Sequence, residues 1–166
     1  LVTLTTSVKP INLETALAEA EKDTKLHPNS AGAWNDYGVA LGKLGRHEEA
    51  LIIFERATKL NPKDAAVLYN KGVTLYELGR LEEALKAYDR TIEIEPDYAN
   101  AWHGKGVMLG MLGKPGEALQ ACEKAIEIKP DYANAWHGKC LALRALGKHE
   151  EATAAYAETL RLRAKE

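Results

Sequence analysis

The sequence is poor in the residues from which metal, disulfide and nucleic-acid sites are usually built. Only two of its 166 residues are cysteines, Cys122 and Cys140, which is too few for a disulfide framework. The 22 basic and 24 acidic residues give a net charge of -2, which argues against a basic footprint for nucleic acid or an anionic membrane. No apolar run approaches the roughly 20 residues that a membrane span needs. These absences predict a soluble, cytoplasmic protein with no nucleic-acid or membrane partner and with two buried, unreactive thiols.

Catalytic motifs are missing as well. The sequence has no glycine-rich phosphate loop, and no motif places a Ser, His and Asp set. The HEEA segments at His47 and His149 lack the second histidine of a zinc protease, and we interpret them as helix starts. We therefore predict that the protein is not an enzyme and has no cofactor.

What the sequence has in abundance is internal repetition with a period of 34 residues. The segment PDYANAWHGK at 96–105 returns letter for letter at 130–139. Trp34, Trp102 and Trp136 begin three copies, and Leu68 takes the same place in the remaining one. Such a period is typical of an array of identical supersecondary units, and we expect the Trp102 ring to be buried between helices.

Each copy contains the pattern of two helices. In the copy at 31–64, one helix face is formed by residues with the spacing i, i+3, i+4 and i+7: Trp34, Tyr37, Gly38 and Leu41. Gly45 predicts a helix exit in the left-handed conformation. A second apolar face follows over residues 50–60 and stops before Pro62, because proline cannot continue a helix. A single pair cannot bury both faces, so neighbouring pairs must stack.

This pattern resembles the tetratricopeptide repeat family over about residues 11–166. The family signature is met in the first complete copy by Trp34, Gly38, Leu41, Ala50, Phe54, Ala57 and Pro62. The resemblance implies an all-α solenoid of stacked antiparallel helix pairs that forms a right-handed superhelix. We expect an irregular segment at 1–10, a lone helix within 11–30, and four units at 31–64, 65–98, 99–132 and 133–166. Cys122 replaces the usual aromatic residue, and Cys140 replaces the usual glycine.

The last unit is predicted to be incompletely covered. Family arrays often carry an extra polar capping helix, and nothing follows residues 161–166 here. We expect parts of Tyr156, Leu160 and Leu162 to be exposed. Because repeat arrays need a polar outer face for solubility, either the chain continues or this end meets another molecule.

The resemblance implies that the first helix of each unit lines a concave wall, where a second, nearly uncharged stripe is found. A face that meets only water would carry Lys and Glu, whereas amides, imidazoles, phenols and valines suit an extended peptide or a partner helix. Alternatively, the aliphatic members pack between successive inner helices. The candidate binding residues are Asn35, Val39, Tyr69, Asn70, Val73, Tyr76, Asn100, His103, Val107, Asn134, His137 and Leu141.

Two other kinds of site are less well supported than this stripe. His103 and His137 occupy equivalent places and would need a third donor to hold a metal, so we interpret them as duplicated groove residues that could gain charge below about pH 6.5. One subclass of the family grips the acidic C-termini of heat-shock chaperones with lysine, arginine and asparagine. Of the corresponding positions here, only Asn70 fits. We therefore predict no metal and no binding of EEVD-type tails.

These observations favour a non-catalytic scaffold that binds a peptide or another protein through the concave groove. One alternative is a structural or assembly module that self-associates through the ends of the array. Another is a regulatory segment of a larger enzyme or chaperone, since the first residue is Leu rather than Met.

Overall fold

The computed structural model of the chain describes residues 12–165, which form helices and no strands. The helices are α1 (Leu13–Leu26), α2 (Ala31–Lys43), α3 (His47–Leu60), α4 (Ala65–Glu77), α5 (Leu81–Ile94), α6 (Ala99–Met111), α7 (Pro115–Ile128), α8 (Ala133–Ala145) and α9 (His149–Arg163). The predicted α-solenoid of stacked helix pairs is confirmed. The segment predicted to be irregular at 1–10 lies outside the described residues. None of the helices from α1 to α9 is long and apolar enough to cross a membrane.

A glycine ends the first helix of every pair. Gly45 has a φ of 74°, and the three equivalent glycines have φ values of 71° to 75°. The Arg46 N–H donates to the Leu41 carbonyl at 3.0 Å, which closes the end of α2. The predicted left-handed exit is therefore confirmed, because only glycine takes this conformation without steric cost.

An aromatic ring fills the space between the helices of a pair. A Cβ atom added to Gly38 would lie 2.7 Å from the ring of Phe54. In the next unit, the Tyr88 ring lies between Gly72 and Gly104, so this side chain joins its own unit to the following one. Gly38, Gly72 and Gly104 thus admit an aromatic ring rather than a second backbone.

The tryptophan that begins a unit lies across the loop before it. Trp102 is only half-buried, and its indole N–H donates to the carbonyl of Pro96 at 2.8 Å. Trp34 and Trp136 make the same bond to Pro28 and Pro130 at 2.9 Å. Trp102 also packs against the buried cluster that includes Leu109, Ala118 and Ala121, so its expected place between helices is confirmed, although the ring is only partly enclosed.

The even-numbered helices form the inner layer of the solenoid. Successive even helices contact one another, from α2 through α4 and α6 to α8, whereas within 12–165 the odd helices contact only even ones. The even layer is the more tightly spaced, so the stack curves towards it. These four helices therefore line the concave surface.

The outer face of α9 is partly uncovered. Tyr156 and Leu160, four residues apart on one face, are 47% and 50% exposed. The prediction for Leu162 is wrong, since it is only 7% exposed. Leu162 shares the opposite face with the buried Ala155 and Thr159, as the helical period requires.

Candidate protein-binding groove

All twelve candidate residues lie on the inner helices α2, α4, α6 and α8. Four of them are exposed: Tyr76, Asn100, Asn134 and Leu141. The other eight are half-buried, because neighbouring inner helices cover one side of each: Asn35, Val39, Tyr69, Asn70, Val73, His103, Val107 and His137. The structure therefore places the predicted residues on one face, with different degrees of access to solvent.

Tyr69 is largely packed against other tyrosines. Its ring stacks on Tyr98 with centroids 5.2 Å apart and lies 5.8 Å from Tyr88 at a tilt. Burial raises the pKa of the Tyr69 phenol above its usual value. Much of the ring area is thus already used within the protein.

The two groove histidines have different surroundings. The Tyr132 hydroxyl lies 3.4 Å from Nδ1 of His103, and the two rings are tilted with centroids 5.2 Å apart. Nδ1 of His137 is buried and has no hydrogen-bond partner among the described residues. Burial lowers the pKa of both imidazoles; His137 adds to this effect at His103, and Arg163 adds to it at His137. Both histidines therefore gain charge at a lower pH than a free imidazole.

Amides occupy both ends of the groove. The Asn70 side-chain N–H donates to the Asn35 side-chain oxygen at 2.9 Å, which links α2 to α4. Asn134 accepts a hydrogen bond from Arg163 at 3.4 Å. Asn100 is exposed on α6, so its amide is available to a ligand.

Three lysines of the inner helices are turned towards the outer layer. Each forms an ion pair with a carboxylate of the preceding helix: Lys71 with Glu55 at 3.7 Å, Lys105 with Asp89 at 2.7 Å and Lys139 with Glu123 at 2.8 Å. These three pairs direct their positive charge away from the groove, whereas Lys43, at the end of α2, is exposed at the groove surface. Within residues 12–165, no group of three His, Cys, Asp or Glu side chains is arranged to hold a metal ion.

The groove contains two cavities that occupy the same place in different units. The first, between α2 and α4, has a volume of about 270 Å³ and is lined by Val39, Gly42, Val73 and Phe54 among others. The second, between α6 and α8, has a volume of about 510 Å³. A shift of two repeats superimposes most of their lining residues.

Smaller residues at several positions accompany the larger second cavity: Gly138 and Ala145 line it where Asn70 and Glu77 line the first, and Cys122 takes the place of Phe54. The Sγ of Cys122 lies beneath Gly106 and Gly138, where the preceding units have an aromatic ring. Cys122 and Cys140 are both buried, as predicted, and burial raises the pKa of the Cys122 thiol to about 11. This thiol therefore stays protonated and unreactive at neutral pH.

Several groove residues were not identified from the sequence. Tyr98 and Tyr132 come from the loops before α6 and α8 and pack on Tyr69 and His103. The exact recurrence of Pro-Asp-Tyr was a signal that could have revealed them. Met111, 55% exposed at the second cavity, stands where other units carry Lys43 or Glu77. A large apolar residue at a position that is charged in the first two units was the available signal.

Comparisons with known proteins agree with this architecture. A family model described as tetratricopeptide repeat matches residues 12–65, 41–99, 69–133 and 112–166. Among solved structures, MamA is 24% identical with a TM-score of 0.82, and the match covers 92% of this chain and 90% of that one. MamA from Desulfovibrio magneticus RS-1 is 20% identical with a TM-score of 0.82, covering 93% and 87%. YrrB, described as a TPR protein with an unusual peptide-binding site, is 24% identical with a TM-score of 0.75, covering 92% and 78%. No curated protein sequence matches the chain.

Proposed function

Because this chain belongs to the tetratricopeptide repeat family, we propose that it is a non-catalytic scaffold that binds a peptide or partner helix in its concave groove. The observation that carries this proposal is the pair of cavities in the inner face: Val39, Val73 and Phe54 form the apolar part of the first, and the described residues that line the second are all uncharged. The described peptide-binding site of YrrB, a protein of similar fold, supports the same function.

A rigid stack of inner helices suits this role. Tyr69 and His103 are held by Tyr98 and Tyr132, so the groove wall is already ordered before a ligand arrives. Binding therefore costs little conformational entropy on the receptor side. The ligand supplies apolar side chains for the cavities and backbone groups for the exposed amides.

Affinity capture from a lysate of the source cells tests the proposal. The variant Tyr76→Ala with Leu141→Ala removes two exposed groove side chains and leaves the core unchanged. We expect proteins that are enriched on the parent chain to be lost on this variant. Ile52→Ala is the matched control, since Ile52 is 66% exposed on the outer helix α3.

Two results would contradict groove binding. Partners that survive the double substitution bind elsewhere on the molecule. Partners that are lost equally on Ile52→Ala bind through the outer surface. In either case the helical circular dichroism signal of each variant must match that of the parent.

Acidic C-terminal tails are not the proposed ligands. The positions that would have to supply cationic donors hold Asn35, Asn100 and Gly104. Carboxylates need charged donors for strong binding, so titration with an EEVD-type peptide is expected to show no micromolar affinity.

Self-association is a second candidate function, favoured by the exposed Tyr156 and Leu160 on α9. Tyr156 occupies the place of Tyr88, whose ring packs between two inner helices. Two features leave the Tyr156 ring exposed. Cys140 occupies the position where the other units have a glycine, so α8 has no gap for the ring. No described helix follows α9 to cover its other side. The uncovered Tyr156 and Leu160 thus form an apolar patch that fits a second copy.

A further inference from the structure

We propose that the groove holds an extended peptide by two large aliphatic side chains, five or six residues apart, one in each of the two cavities. This specificity rests on the proposed function and adds to it the chemistry of the ligand. Tyr76 stands between the two cavities and makes them separate pockets.

The separation arises from a single position in the repeat. Gly42 and Gly110 occupy it in the first and third units, while Tyr76 and Arg144 occupy it in the second and fourth. A Cβ atom at Gly42 would meet nothing within 4 Å, and one at Gly110 would meet only the Ala118 methyl group at 3.9 Å. The space over these glycines is therefore open, whereas Tyr76 fills the corresponding place between them.

The lining of the second cavity selects an uncharged, apolar side chain. Its walls include Val107, Met111, Pro115 and Leu141, and none of the residues between 12 and 165 that line it is charged. A charged ligand group would lose its hydration there without gaining a partner. Since Met111 and Leu141 are each more than half exposed, an aliphatic side chain would cover apolar surface that now meets water.

The first cavity is smaller and has a charged rim. Val39, Val73 and Phe54 form its apolar part, and Lys43 and Glu77 border it. An aliphatic side chain fits its floor, and the two opposite charges at the rim favour polar neighbours on the peptide. The larger of the two ligand side chains belongs in the second cavity, whose volume is about 510 Å³ against about 270 Å³ for the first.

The spacing of the two anchors follows from helix packing. Adjacent helices pack with their axes about 8–10 Å apart, so cavities two inner helices apart are separated by roughly 16–20 Å. An extended chain rises about 3.3 Å per residue, which places the anchors five or six residues apart. An extended peptide also has free backbone groups for the exposed amide of Asn100, whereas a helix satisfies its own.

Selection from a displayed library of random dodecapeptides against the purified chain tests this proposal. We expect enriched sequences to carry two residues from Leu, Ile, Met and Phe at a separation of five or six. A fluorescent synthetic copy of an enriched peptide then gives dissociation constants by fluorescence anisotropy.

Variants of the chain itself separate the two cavities. Gly110→Tyr and Gly42→Tyr each place a ring where Tyr76 has one in its own unit, and each is expected to weaken binding roughly tenfold to hundredfold. Gly116→Tyr adds the same ring on the outer helix α7, where nothing lies within 4 Å of the added Cβ, and should leave the affinity unchanged. Leu141→Glu is an independent variant at an exposed position and should weaken binding similarly.

The outcomes distinguish this inference from the proposed function. Enriched peptides with one anchor, another spacing or charged anchors overturn the two-cavity inference and leave groove binding intact. If Gly110→Tyr and Leu141→Glu both bind the peptide with unchanged affinity, the two-cavity inference is likewise overturned and groove binding is left intact. If no peptide is enriched and the lysate capture also yields no groove-dependent partner, the proposed function fails together with the inference.

Discussion

Gly104 shows how strongly one missing side chain constrains this fold. A Cβ atom there would lie 2.7 Å from the Tyr88 ring, which is only 3% exposed and already touches Gly72 on its other side. We expect Gly104→Ala to lower the free energy of unfolding by about 1–2 kcal/mol, because overpacking outweighs the gain in helix propensity of about 1 kcal/mol. Urea unfolding followed by circular dichroism measures the change.

Gly110→Ala in the same helix is the control with the opposite sign. The new methyl group meets only Ala118 at 3.9 Å, so the variant is expected to be more stable by roughly 0.5–1 kcal/mol. Equal stability of the two variants would show that Tyr88 is free to move aside.

His103 and His137 make stability depend on pH. A histidine in an unfolded chain has a pKa of about 6.5, and burial lowers the pKa of both residues in the native state. Between these pKa values the unfolded chain binds more protons, so native stability is full above about pH 6.5 and falls as the pH is lowered through that range.

Urea unfolding at pH 7.5 and 5.5 measures this dependence. The variant His103→Asn with His137→Asn is expected to lose less stability over this interval than the parent, because it lacks the two imidazoles whose pKa burial lowers. The other three histidines, His27, His47 and His149, are the same in both proteins. Identical losses would assign the pH dependence to other groups.

Among the helices, α1 depends on the fewest contacts. Within residues 12–165 it packs only on α2, chiefly through Leu17, which is 8% exposed, and Ala20. Leu17→Ala is expected to weaken this docking by roughly 2–3 kcal/mol and to speed hydrogen exchange in α1 but not in α6 or α7. Hydrogen–deuterium exchange read by mass spectrometry resolves the helices separately.

Leu26→Ala is the matched control in α1, since Leu26 is 64% exposed. Its exchange rates should equal those of the parent. If Leu17→Ala instead speeds exchange throughout the chain, α1 unfolds together with the whole array rather than alone.

At the scale of the complete chain, α9 governs the second candidate function. If the chain associates through this face, the average molar mass of the parent should be 18.2 kDa when dilute and should rise as the protein concentration is raised. Tyr156→Glu with Leu160→Glu should keep the mass at one chain, since it places charges on the exposed face. Multi-angle light scattering measures both, and a parent that stays at one chain at millimolar concentration would exclude this role.

The 34-residue period is sufficient to predict the architecture, because a helix pair with two apolar faces has to stack. It also predicts the helix exit at Gly45, which depends on local conformation, and the second stripe on each first helix, which depends on helical spacing; the resemblance to the family implied that this stripe faces the groove. The period does not show how far Tyr69 and His103 are covered by Tyr98 and Tyr132. Those contacts join loops of one unit to helices of another.

The sequence alone thus determined the repeated helix pair and its turns, which follow from residues close together in the chain; which face lines the concave wall was implied by the family resemblance. Only the tertiary structure decided where that face is open. The cavities beside Gly42 and Gly110, the burial of Leu162 and the partial burial of Trp102 depend on distances between helices from different units. Such distances are set by the volume of the side chains packed between them, which no spacing along the sequence specifies.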